Sequence, residues 1–227
     1  MENGRGAAPH RVDVAPERVE GWLTEFAARH GATTTTVDVG RTVVTAQAAD
    51  GAVAQCHVPF PPLPAAAPTV AELAAHAAAD RTVGVLLVRL GGYAAGVFAG
   101  APPRLIASKV GSRLVHGRSA AGGQSQQRFA RRREKQAREA LTAAADCAVA
   151  VFGPYRDRLD AVVLGGDRRA MAALRDDPRL RRYFDLAVDR FLTVPDPRLA
   201  VLQGTSRQFR AIQIRLTEID GGAGTDR

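Results

Sequence analysis

The sequence predicts an α/β (α+β) fold: a mixed twisted sheet with flanking helices, preceded by an N-terminal helix and a small antiparallel sheet. Three observations predict it. β-Branched runs separated by turn signals fill residues 33–58, a second set of short apolar runs follows from Val83, and helix-forming stretches alternate with buried strands after Ser125. At 227 residues the chain can bury a sizeable core without staples. The divisions expected are a disordered tail over 1–12, a helix with antiparallel strands and a linker helix over 13–80, the main domain over 81–220, and a tail over 221–227.

Pro16 opens an amphipathic helix that carries Trp22, Leu23 and Phe26 and ends at Gly31, with Trp22 expected in the core. From Thr33 the runs TTTTVDV, RTVVTAQA and AVAQCHV read as strands, and Asp50-Gly51 between the last two is a hairpin signal. The stretch PFPPLPAAAP (59–68) cannot continue a strand, because proline has no amide proton to give to a ladder, so it reads as an extended connection. TVAELAAHAAAD follows as a helix, on which His76 is expected to be structural.

VGVLLVRL, Gly91-Gly92 and YAAGVFAG form a hairpin, which RLIASKV and SRLVHG extend by a bent antiparallel strand. From about Ser125 to Val151, Ala137, Leu141, Ala144, Ala148 and Val151 recur at spacings of three or four. That period makes one apolar stripe, expected to pack on the sheet through the helix's C-terminal half. A buried strand AVVL leads to Gly165-Gly166 and to Asp167, placed to cap a helix through Leu174. Without GxxxxGK[ST] or GxGxxG, the glycine pair reads as a strand-to-helix turn and not as a phosphate loop. A helix over 180–188, a strand FLTV and a closing strand AIQIRL complete the arrangement, with no element assigned between the last two.

The net charge of +8 and pI near 10.6 favour polyanionic partners, nucleic acid first. All but two of the 31 basic residues are arginine, which reflects either bidentate phosphate recognition or the codon usage of a GC-rich genome. Placement is more informative. Arg128, Arg131, Arg132, Arg133, Lys135 and Arg138 fall within eleven residues, opposed only by Glu134. This run is either a solvated helix face or a contact surface for RNA phosphates. Cys56 and Cys147 lack the companions of a disulfide framework or a zinc site, so no metal or other cofactor is expected and a reducing cytoplasm is the expected location. The N-terminus lacks the apolar core of a signal peptide, no run approaches the roughly 18 apolar residues of a membrane span, and no membrane partner is expected.

Ordinary acid–base machinery is not evident. The five histidines are scattered, and no GxSxG, HExxH or cysteine–histidine pattern gives any of them a role. Gly122-Gly123-Gln124 stands out against that background. Two glycines let the backbone take positive φ and approach a ligand closely, while glutamine offers a neutral amide that both donates and accepts. On the residues alone it is either such a loop or an ordinary glycine-rich turn with Ser125 capping the helix that follows.

GGQSQQRFARRREKQ resembles the peptidyl-transferase-centre loop of eukaryotic and archaeal peptide-chain release factors. There GGQ is followed at fixed spacing by Ser, then Arg-Phe, a basic stretch and a helix. Gly122, Gly123, Gln124, Ser125, Arg128, Phe129 and Arg131 occupy the matching places, and His116-Gly117-Arg118 resembles the approach to that loop. The order of elements resembles the middle domain of those factors. Over most of its length the chain is similar to actinobacterial members of the Vms-like release factor (VLRF) family, predicted peptidyl-tRNA hydrolases related to the eukaryotic Vms ribosome-quality-control protein. Residues from about 83 to 195 carry that pattern. Ser119, Ala120 and Ala121 are extra length before GGQ, and the full GGQ stands where Vms-like relatives often have a variant. No stop-codon-reading domain and no ankyrin or zinc module is evident, so codon-specific termination is not expected.

The resemblance implies hydrolysis of the ester that joins a nascent peptide to tRNA on stalled ribosomes or large subunits, with 81–220 as the release-factor-like catalytic domain. Gly122, Gly123 and Gln124 would be catalytic; methylation of Gln124 would be allowed. Arg118, Arg128, Arg131, Arg132, Arg133 and Lys135 would bind RNA. The implied partners are the peptidyl-transferase centre of the large subunit and peptidyl-tRNA, with neither DNA nor membrane. Two further readings stay open: cleavage of the tRNA acceptor end, for which His116 would have to supply acid–base chemistry, and non-catalytic binding of ribosome or RNA.

Overall fold

The computed structural model describes residues 10–64, 69–89, 91–112 and 125–218, and of 125–130, 132 and 133 the backbone alone. The first described elements are β1 (His10–Val14), α1 (Val19–His30), β2 (Thr33–Val37), β3 (Val43–Ala48), β4 (Val53–His57) and α2 (Val70–Ala78). β5 (Val83–Arg89), β6 (Gly92–Ala99), β7 (Arg104–Ser112) and α3 (Ser125–Phe152) follow. The chain continues through β8 (Ala161–Gly166), α4 (Arg168–Leu174), α5 (Arg181–Asp185), β9 (Ala187–Leu192), α6 (Leu199–Arg210) and β10 (Ile212–Thr217). This is the predicted α/β class, with two five-stranded sheets and six α-helices among the described residues. It divides into two compact units, one of Met1–Ala79 with Arg210–Arg227 and one of Asp80–Phe209.

In the first unit the order is β1-β10-β4-β3-β2, antiparallel throughout. Its strands alternate, so one face buries Val44, Ala46, Ala54, Cys56, Ile212 and Ile214 against Phe26 of α1 and Leu73 of α2. Asp50-Gly51 makes the predicted turn: Gly51 takes φ 92° and its amide donates to the Ala48 carbonyl. Thr69 and Glu72 close a reciprocal capping box at the start of α2. His76 bonds the Phe60 carbonyl at 2.9 Å, a structural role as expected. Trp22 is half-buried and stacks on Phe26 at 5.8 Å. Two expectations change. Residues 10–12 are strand and not tail, because β1 pairs with β10 from the far end of the chain, and that closing strand, expected within 81–220, belongs to the first unit's sheet.

In the second unit the order is β7-β6-β5-β8-β9. β5, β6 and β7 run antiparallel, while β5, β8 and β9 are parallel. Packing follows the predicted stripe: Ala144, Ala148 and Val151 of α3 are buried, Leu141 is half-buried, and α4 adds Met171 and Leu174 to the same core. Asp167 caps α4 as expected, accepting from the amides of Arg169 and Ala170. The pair Gly165-Gly166 is a packing device. Gly166 takes φ 101°, and a Cβ there would strike the Val88 carbonyl. The opposite sheet face takes α6, which no sequence signal announced. Leu202 lies against Gly96, and Phe209 meets Phe98 edge-on at 5.5 Å. The helix expected over 180–188 is shorter: β9 already begins at Ala187, where it pairs with Val162.

Candidate functional site

Gly122, Gly123 and Gln124, with His116 and Arg118, lie outside the described residues, so the site is built from what flanks them. Ser112, the last described residue before that segment, pairs with Gly92, which in turn pairs with Arg89. Val88 pairs with Gly166. The segment therefore leaves the sheet at the edge where β5 and β8 end. Beyond that segment, α3 begins at Ser125 among the described residues.

Among the described side chains of α3, Leu141 is the first that joins the core cluster. Residues 125–140 precede it along the helix, about 24 Å at 1.5 Å per residue, and Gln136, Ala137 and Ala140 among them are half-buried. At about 100° per residue, positions 128, 131, 132 and 135 share an arc of roughly 100° opposite the apolar stripe. Arg131, Lys135 and Arg138 are exposed. Lys135 reaches Glu139 only at 4.0 Å, a surface pair worth little, so its charge stays available to an anion. Arg128, Arg132 and Arg133 lie on α3, with side chains outside the described set.

Further cations sit at the same edge. Arg168 and Arg169 open α4 directly after the Asp167 cap, both exposed, with the Arg168 guanidinium 4.3 Å over the Phe191 ring. Arg89 donates to the Val194 carbonyl at 2.7 Å. Sequence reasoning passed over these residues, because only the parallel pairing of β5 with β8 brings them to the end of the sheet at which β7 stops, three strands away. A shallow groove between α3 and α4 is lined by Arg138, Leu141, Thr142, Ala173, Leu174 and Asp177. Arg179 engages Asp177 of that lining. It donates to Asp146 at 2.7 Å and grips both oxygens of Asp177, whose carboxyl it holds below the usual carboxylate range.

Charge is divided unevenly between the units. Residues 80–209 hold 23 Lys and Arg against 12 Asp and Glu, a net +11, and the remaining residues hold 8 against 11, a net −3. The whole polyanion-attracting excess thus resides in the unit that carries GGQ. Among the described residues, this edge supplies cations and no nucleophile paired with an activating base.

A profile described as the Actinobacteria/chloroflexi VLRF1 release factor, acVLRF1, matches residues 81–215. The chain belongs to that family. Membership makes this VLRF1 protein a translation-related, ribosome-associated factor. Among solved structures, an archaeal translation termination factor, aRF1, is 13% identical, with 90% of this chain and 68% of that one covered and a TM-score of 0.43. A Vms1 mitochondrial localization core is 9% identical over 75% of each chain, also at a TM-score of 0.43. No curated protein is significantly similar. No described helix of this VLRF1 protein is long and apolar enough to cross a membrane.

Proposed function

We propose that this VLRF1 protein is a peptidyl-tRNA hydrolase that frees nascent peptides on stalled ribosomes or separated large subunits, through Gly122, Gly123 and Gln124. The observation that carries this reading is the family match over 81–215, which encloses GGQ and the helix that begins at the next residue. Water attacks the ester carbonyl, the acyl–oxygen bond to the terminal ribose breaks, and a free peptide acid and intact tRNA leave. The Gln124 amide N–H serves the developing oxyanion, and its side chain restricts the site to water. The partner supplies the remaining positioning, consistent with a described edge that offers cations and no acid–base pair. Arg131 and Lys135, with Arg118, Arg128, Arg132 and Arg133, hold RNA phosphates, so the basic arm of α3 anchors what the GGQ segment probes.

Stalled complexes carrying labelled peptidyl-tRNA test this directly. Wild type is expected to yield free peptide and intact tRNA, and Gln124→Ala to slow release by about 100- to 1,000-fold, the usual loss with one oxyanion donor. Release by Gln124→Ala at the wild-type rate would overturn the assignment. Peptide left on a CCA fragment would replace it with tRNA cleavage, and binding without product would leave only an RNA-binding role.

A further inference from the structure

We propose that the open face of the first unit's sheet is a docking surface for the phosphodiester backbone of double-stranded RNA. The side chains that alternate with the buried ones on these five strands form a polar strip. Arg11 pairs with Arg215, Arg215 with Gln55, Gln55 with Thr45, and Thr45 with Thr36, one residue from each strand in a single row. The row spans about 19 Å at the usual strand spacing. All five are exposed or half-exposed, and Thr217, Val53, Gln47 and Thr34 make the next row, polar but for the valine.

The arginine pair is the observation that points to an anion. Like charges directly opposite on antiparallel strands destabilise a sheet. Arg11 and Arg215 nevertheless face each other, and neither makes an ion pair or hydrogen bond with any described residue. Among the described residues, Asp13 is the only carboxylate on the face. The unit's other described acids lie elsewhere: Glu17, Glu20 and Glu25 before and along α1, Glu72 in its cap, Asp38 in its turn, and Asp50 and Glu218 against His30. A unit of net −3 thus sets two cations without a described partner directly opposite each other on one face.

The rest of the strip selects the kind of polyanion. Gln and Thr side chains both donate and accept, which suits ribose 2′-hydroxyls between phosphates, the features a duplex RNA presents across its shallow groove. None of the five strands contains Phe, Tyr or Trp, so the face has no stacking platform for single-stranded bases. The inference deepens the ribosome-directed reading, since a ribosome offers such duplexes, but it is tested through binding alone.

The test measures binding of the full-length protein to a synthetic RNA duplex of about 16 base pairs, a length that a double-stranded-RNA module typically spans, across a range of salt. Arg11→Gln with Arg215→Gln is expected to lose about tenfold in affinity and to lower the salt slope by roughly 1.8, two phosphate contacts' worth. Arg18→Gln with Arg29→Gln makes the same charge change on exposed residues away from the face and should leave binding within about twofold of wild type. Wild-type binding by the first pair, or equal losses from both pairs, would overturn the proposal. Should the first pair unfold, Gln55→Glu puts a carboxylate mid-strip with both arginines kept; unchanged affinity there would equally overturn it. Peptide release by the same preparations separates the two ideas. If wild type releases peptide and the face variant binds duplex normally, this surface alone is wrong; if the face variant loses duplex and wild type releases nothing, the surface stands without the hydrolase.

Discussion

Cys56 and Cys147 illustrate how burial sets the chemistry of a residue. Both are free and buried; burial pushes the Cys56 thiol up to about 12 and raises that of Cys147, whose Sγ donates to the Lys109 carbonyl at 3.4 Å. The nucleophilic form is the thiolate, so neither thiol should react with a disulfide reagent at pH 8 in the native protein, and both should react in guanidinium. One fast-reacting native thiol would contradict the packing described. Gly166 makes a second case. Gly166→Ala forces positive φ on an L side chain and drives its Cβ into the Val88 carbonyl, at a cost of about 2 kcal/mol, or roughly 4–8 °C in Tm. Gly153→Ala has open space and no positive φ, and should leave Tm nearly unchanged.

Among the elements, α3 carries the most consequence. Its C-terminal half is held by the buried stripe, and Arg179 ties Asp146 on the helix to Asp177 before α5. The Asp177 carboxyl titrates lower when folded, chiefly through its bonds to Arg179. A depressed carboxylate stabilises the fold above its unfolded value, about 3.9, and that contribution is lost as pH falls through the lower folded value. Wild type should therefore be more stable than Asp177→Asn at pH 7, and the gap measured by chemical denaturation should close below about pH 4. A constant gap would mean that the ion pair contributes nothing. α6 was not legible in the sequence for a local reason. Its buried positions are Leu202, Thr205 and Phe209, so a hydroxyl and the mid-helix Gly204 interrupt the apolar period; Thr205 resolves its burial by donating to the Leu202 carbonyl at 2.6 Å.

Across the whole molecule, β10 matters most for its order. It lies between β1 and β4, and its Ile212 and Ile214 are fully buried, each worth about 1.5–3 kcal/mol. Truncation after Arg210 should strip hydrogen-exchange protection from residues 43–57 while residues 83–98, in the other unit's core, keep theirs. Equal protection in both regions would show that β10 is dispensable. The division of charge belongs to this scale as well, for a net +8 conceals one unit at +11 and another at −3.

Signals that act over a few residues were legible before any fold was known. The helical period of α3, the Asp50-Gly51 turn, the Asp167 cap and the run that joins GGQ to its arginines all depend on neighbours along the chain. Pairings between distant segments were not legible. A strand's alternation declares which face is buried but not which strand it will join, since backbone hydrogen bonds are alike for every partner. Tertiary structure alone therefore decided that AIQIRL returns to the first sheet, that Arg168 and Arg169 stand at the edge from which the GGQ segment departs, and that Arg11 and Arg215 meet.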